Sequence, residues 1–228
     1  MEAKIKEPPG GPFDLIVVGG GAAGFFCALS AAEVNPYLRI LLLDGGKKVL
    51  RKVRISGGGR CNLTHHCFDP KELSERYPRG GRQLRGAFHH FQPKDTIEWF
   101  SKRGVATKTE ADGRMFPVSD CSQSVIDCLE KSVREARIEV RTESKVREID
   151  PPATGNPWVI KLGDGRVEKT EKLCLAMGSL AHSGLVQIIE NLDHQVVPLV
   201  PSLFAFNLKN HPMKDLSGIS VPLARVRI

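Results

Sequence analysis

FDLIVVGGGAAGFFCALSAAEV, residues 13–34, decides the fold. Leu15 to Val18 is a short, β-branched apolar run entered from Asp14, the pattern of a strand buried on both faces of a parallel sheet. Gly19 to Gly21 break the run. Ala22 to Val34 then reads as a helix, with Phe25, Leu29 and Ala32 recurring on one side and Asn35-Pro36 as the stop. Arg39 to Leu43 is the next buried strand, and Asp44 closes it. Strand, glycine turn, helix, strand and terminal acid make one βαβ unit of an α/β domain.

Gly19, Gly21 and Gly24 stand at the spacing of a dinucleotide fingerprint. Gly19 permits the tight strand-to-helix turn, Gly21 has no Cβ to collide with a pyrophosphate, and Gly24 lets helix and strand pack closely. The start of the helix, at Ala22 and Ala23, then offers free N–H donors and partial positive charge to an anion. Asp44 can accept both hydroxyls of an adenosine ribose and would repel a 2′-phosphate. The expected ligand is therefore FAD or NAD rather than NADP, and the same geometry serves either.

A second glycine cluster, ISGGGRCNLTH, begins at Ile55. Gly57, Gly58 and Gly59 can turn successive N–H groups into an anion-binding concavity. Arg60 is suited to charge-assisted bonds with phosphate, and Asn62 offers a donor and an acceptor to a ring edge or ribose. The competing reading is a flexible basic loop.

The chain has 228 residues, 41% hydrophobic and 26% charged, the balance of a protein with a real core. Its formal charge of +7 is uneven: residues 47–85 hold 11 Lys/Arg against 3 Asp/Glu. Such a run implies an anionic partner, or else a solvated loop, and the second reading is preferred except beside the glycines. Six cysteines include no C-x-x-C pair and suggest no disulfide framework. Cys27, Cys128 and Cys174 read as small hydrophobes. Cys61 and Cys67, with His65 and His66 between, match no zinc spacing. Without a signal pattern or membrane-spanning run, a reducing cytoplasmic setting is expected.

RKVRISGGGRCNLTH resembles a segment of the BaiN-type, aminoacetone-oxidase-like flavoproteins, which are NAD(P)/FAD-dependent oxidoreductases. The likeness extends in order through GRMFPVSD (residues 113–120), LCLAMG (173–178) and VVPLVPSLFAFNL (196–208). It implies a Rossmann-like, glutathione-reductase-like FAD-binding domain over residues 13–195, carrying a β-meander. A mobile leader precedes it at residues 1–12, and a β-rich inserted domain begins at residues 196–228. It also implies non-covalent FAD held at Gly19, Gly21, Gly24 and Asp44-Gly45. Ser56 to Asn62, Cys61 included, would pass alongside the cofactor. Val146 would meet adenine through its backbone, and Ala176, Met177 and Gly178 would form the turn where the sheet approaches the cofactor. Met177 departs from the family's Thr. Family members are much longer, so a truncated chain is expected, one that binds FAD weakly, needs a second polypeptide or is inactive.

The leading expectation is flavin-mediated hydride or electron transfer on a small molecule, with NADH or NADPH as candidate donor and catalytic residues unassigned. The first rival is a tRNA-modifying flavoprotein, ranked lower because no aromatic stacking platform is evident near the basic run. The second rival is a non-catalytic dinucleotide-binding module.

For the remainder, residues 45–86 read as a long loop with a helical turn near Pro70 to Arg76. Further expectations are helices at Pro93 to Arg103, at Ser122 or Ser124 through Ala136, and at Leu185 to Leu192. A hairpin is expected across Asp164-Gly165, a separate strand at Leu173 to Met177, and strands at Val196 to Phe206 and Ile219 to Ile228.

Overall fold

The opening strand β1 (Phe13–Val18) sits near the middle of a six-stranded mixed sheet. The computed structural model describes residues 11–153, 155–180, 184–200 and 225. The chain divides into two units, Met1–Val196 and Val197–Ile228. Helix α1 (Ala22–Val34) carries the chain from β1 to its parallel neighbour β2 (Ile40–Leu43). The chain then passes through α2 (Arg51–Ile55), the turn Ser56–Gly59, β3 (Thr64–His65), α3 (Pro70–Glu75), α4 (Gly81–His90) and α5 (Pro93–Ser101). After β4 (Thr107–Thr109) and β5 (Arg114–Pro117), α6 (Ser122–Glu135) leads to β6 (Glu139–Arg141). The meander β7 (Val146–Asp150), β8 (Trp158–Leu162) and β9 (Val167–Leu175) and then α7 (Leu185–Glu190) complete the unit.

The main sheet has the order β6-β2-β1-β9-β8-β7. Its first four strands run parallel and the meander strands antiparallel. A second, antiparallel sheet has the order β3-β5-β4. The continuous apolar run of β1 from Leu15 onward, and of β2, follows from burial on both faces. Leu15, Val17, Ile40 and Leu42 pack with α1, α5 and α6. Ile16, Val18, Leu41 and Leu43 pack with β7, β8 and Ile188 of α7. This is a Rossmann-like α/β domain with a mixed sheet, as the sequence implies.

Several local expectations need correction. Residues 45–86 are not one loop, because α2, α3 and α4 all lie within or across that stretch. Helix α4 escaped notice because none of its residues is buried, which leaves no full apolar stripe to read. The second half of the hairpin and the strand at Leu173 are one strand, β9. Its first part pairs with β8 and its second part with β1, both pairings meeting at Thr170. Thr170 is fully buried, and its hydroxyl lies 3.0 Å from the Phe13 carbonyl. Neither Ser122 nor Ser124 caps α6. The N-cap position is Cys121, and the buried Ser122 hydroxyl donates to the Arg54 carbonyl at 2.9 Å, tying α6 to α2. Val196 to Val200 form no strand. The rest of that proposed strand, the one at Ile219 to Ile228 apart from Arg225, and residues 1–10 of the leader lie outside the described residues.

One ion pair ties two parts of the sheet together. Glu168 of β9 is only 4% exposed, and its carboxylate accepts a bond from Arg141 Nη1 at 2.5 Å. Removing the cation alone strands a buried carboxylate. Arg141→Ala should therefore lower unfolding free energy by about 3 kcal/mol. Adding Glu168→Gln should recover part of that loss in urea titrations of the double variant.

Candidate functional site

Gly19 ends β1 at φ +118°, and a Cβ there would fall 2.3 Å from the Ala176 carbonyl oxygen. The turn therefore presses directly on the chain leaving β9, as the Ala176 N–H bond to the Val18 carbonyl at 2.7 Å also shows. At Gly24 a Cβ would come 1.9 Å from the Gly19 carbonyl. Gly21 differs: it has ordinary φ −91°, and a Cβ would meet nothing within 4 Å. Gly19 and Gly24 are thus demanded by packing within the protein, whereas Gly21 faces open space at the start of α1. No side chain caps that helix, no acid lies in its first turn, and Ala22 and Ala23 are exposed. Its orphan N–H groups point into a vestibule that can accept an anion.

Asp44, at the tip of β2, faces this turn. Its Oδ2 accepts the Gly20 N–H and its Oδ1 the Gly46 N–H, both at 2.7 Å. These bonds fix the carboxylate and leave further lone pairs for hydroxyl donors. Gly45 packs beside Lys145, where a Cβ would stand 3.4 Å from the Lys145 Cα. Val146 follows directly, but its side chain is buried in the core of the meander, so only its main chain could reach a ligand.

The second glycine cluster folds into a left-handed turn. Gly57, Gly58 and Gly59 take φ +55°, +69° and +86°, and Cys61 takes +64°. Three consecutive positive-φ residues explain three consecutive glycines, since each side chain would add strain. Gly57 is further required by Phe116, which a Cβ would approach to 2.7 Å. Arg60 is engaged by protein groups. Its guanidinium donates to Glu110 at 2.5 Å, lies 3.5 Å from Asp120, and stacks 3.9 Å from the Phe116 ring centroid. Glu110 and Asp120 flank the small sheet, so Arg60 clamps the glycine turn onto it. With its amide turned to donate, Asn62 reaches the carbonyls of Thr64 (2.9 Å) and Met115 (3.2 Å).

Ala22, Ala23, Ser56, Cys61 and Asn62 nevertheless converge. Together with Phe26, Lys52, Val53, Leu63, Phe91, Thr96, Phe100, Val125 and Leu129 they line a cleft of about 450 Å³. Lys52 of α2 is the residue that sequence reasoning missed. It lines the cleft with Ala22 and Ala23 of α1, and its ammonium would lie 3.5 Å from a Cβ on Gly178, just beyond β9. Its only signal in the sequence was membership of a crowded basic run. Gly178 has φ +79°, while Met177 turns its side chain into the opposite core.

Burial, followed by a bond to Cys174, pushes the pKa of the Cys27 thiol up to about 11, and burial raises those of Cys61 and Cys128. His65 Nε2 lies 3.1 Å from the Asp112 carbonyl, and Cys67 is buried.

The model of the HI0933-like protein Rossmann domain matches residues 13–211. The ribosomal RNA dihydrouridine synthase of Escherichia coli K12 is 32% identical over 219 residues, which is 92% of this chain and 52% of that protein. The 3-dehydro-bile acid delta(4,6)-reductase of Clostridium scindens is 28% identical over 209 residues, 89% of this chain and 49% of that protein. The chain thus spans about half the length of these relatives. Among solved structures, the 3-ketosteroid-delta4-(5alpha)-dehydrogenase of Rhodococcus jostii RHA1 shares the fold, with a TM-score of 0.56 and 14% identity over 79% of this chain and 48% of that one.

The three glycines should separate in a stability assay. Gly24→Ala forces helix and strand apart and should cost about 1–3 kcal/mol, several degrees in Tm. Gly21→Ala, with open space and an ordinary φ, should leave Tm of the ligand-free protein within about 2 °C of wild type.

Proposed function

The chain belongs to the HI0933-like Rossmann-domain family, and from that premise we propose that it binds FAD and forms the cofactor-holding domain of a flavin-dependent oxidoreductase. One observation carries this reading: the open N-terminus of α1 lies between a fixed carboxylate at Asp44 and a cation at Lys52. A dinucleotide has the matching parts, two linked phosphates with a ribose diol at one end. In this reading the N–H groups at Ala22 and Ala23 and the Lys52 ammonium take the pyrophosphate. Gly19 and Gly24 hold the turn, and Gly21 leaves room. Asp44 accepts the ribose hydroxyls, while Gly45 and the Val146 backbone border the adenosine. Ser56, Cys61 and Asn62 line the cleft, while Ala176 and Met177 press on the turn at Gly19 and Gly178 lies beside Lys52. Gly57 to Gly59 and Arg60 shape the turn between Ser56 and Cys61.

FAD supplies hydride or electron transfer when bound, and the protein's part is to orient it and exclude water. The apolar cleft walls at Phe26, Phe91, Phe100, Val125 and Leu129 suit that exclusion. NADH or NADPH is the proposed donor, delivered without a second glycine fingerprint in this sequence. Within the family, the order of the motifs supports a BaiN-type, aminoacetone-oxidase-like assignment with a small-molecule substrate. A second reading places the reduced group on RNA. It is favoured by the name of the Escherichia coli relative together with the basic composition of residues 47–85.

The test is to purify the chain, extract any bound cofactor and identify it by mass, then titrate the apo-protein with FAD. FAD recovered or bound with flavin absorbance supports the proposal, and failure to bind FAD overturns it. Gly21→Ala should abolish binding. Lys52→Ala should weaken it about tenfold or more by removing a charge-assisted bond.

A further inference from the structure

We propose that the α3–α4 hairpin is a docking surface for single-stranded nucleic acid, continuous with the cleft described above. From Arg76 to Lys94 the sequence carries five Lys/Arg and no Asp/Glu. Arg82, Arg85 and His89 follow one another at helical spacing along α4 and are all exposed. Neighbouring like charges weaken a helix, and Arg82 in the first turn opposes the helix dipole. No acid offsets them within α4, and no residue of the helix is buried. Packing therefore gives no account of these arginines, whereas a row of phosphates does.

Aromatic rings lie where the basic row needs them, although their separation in sequence hides this. Tyr77 is 44% exposed and sits 5.6 Å, centroid to centroid, from Phe88. Tyr77 and Phe88 line a groove of about 400 Å³ shared with Asn62, Leu63, Phe91 and Thr96, four residues that also line the cofactor cleft. Tyr77 also borders a third hollow, whose charged walls are Lys71, Arg82 and Arg85 against the single acid Glu75. A strand whose phosphates follow Arg82 and Arg85 can stack a base on Tyr77 and lead the next nucleotide toward Asn62. A bilayer is the poorer match, because α4's apolar residues Leu84 and Phe88 are half-buried rather than presented as an insertion face. The reaction at the end of this track rests on the second reading of the substrate, but the binding does not.

The experiment measures binding of a fluorescein-labelled 20-nucleotide single-stranded RNA to the full chain by anisotropy between 50 and 200 mM salt, with the DNA equivalent and anionic phosphatidylglycerol vesicles in parallel. Arg82→Ala/Arg85→Ala should weaken RNA binding roughly tenfold or more and reduce the salt slope by about 1.4. Tyr77→Ala should weaken it roughly tenfold with the slope unchanged. Lys131→Ala/Arg137→Ala, a charge-matched change on and beyond α6, should leave it intact. Equal RNA and DNA affinity supports a phosphate-and-stacking surface, and RNA preference supports one that also reads the 2′-hydroxyl. Absence of nucleic-acid binding, equal loss in the Lys131/Arg137 variant, or vesicle binding that alone depends on Arg82 and Arg85 overturns the proposal. FAD titration of the same samples separates the two claims. FAD binding without RNA binding removes the docking surface alone, and RNA binding without FAD binding removes the flavin reading alone.

Discussion

Contact between bare backbones holds this architecture in place. The Gly19 carbonyl lies where a Cβ on Gly24 would be, and the Ala176 carbonyl lies where a Cβ on Gly19 would be. These two approaches set the height of α1 above β1 and the separation of β1 from the end of β9. Everything the site offers follows from that spacing: the direction of the uncapped helix, the reach from Gly20 N–H to Asp44, and the position of Lys52 opposite Gly178. Hydrophobic burial drives the chain together, but it is non-directional. The glycines convert it into a defined crevice at the point where the neighbours of β1 lie on either side of the opening turn.

The βαβ unit was legible because every strand position in it carries information. Alternate residues of β1 from Leu15 onward and of β2 enter different cores, so both runs are apolar without a break. Helix α4 and the long strand β9 were not legible. α4 buries nothing, and exposed Glu171 and Lys172 interrupt the apolar pattern of β9 just beyond the residue where its partner changes. Sequence periodicity reports burial, and where burial is absent or divided it says little about the backbone.

The second glycine cluster shows a different limit. Its composition announced an unusual conformation, and three successive positive φ values fulfil that. The role of Arg60 depended on acids far along the chain: Glu110 and Asp120 reach it only after β4, β5 and the turn beyond them have folded. Lys52 was hidden for the opposite reason, being one cation among many until its place beside the open helix end singled it out. In both cases the residue type was suggestive, and only tertiary position shows which groups each side chain faces.

β9 spans roughly 30 Å as one extended segment. One end is hydrogen-bonded into the meander and the other walls the glycine turn through Ala176. Since the same rod belongs to both regions, tilting the outer hairpin shifts the backbone against which the opening glycine turn packs. Among the described residues β7 is the last strand of the sheet, so a force applied there is transmitted along β9 to the start of α1.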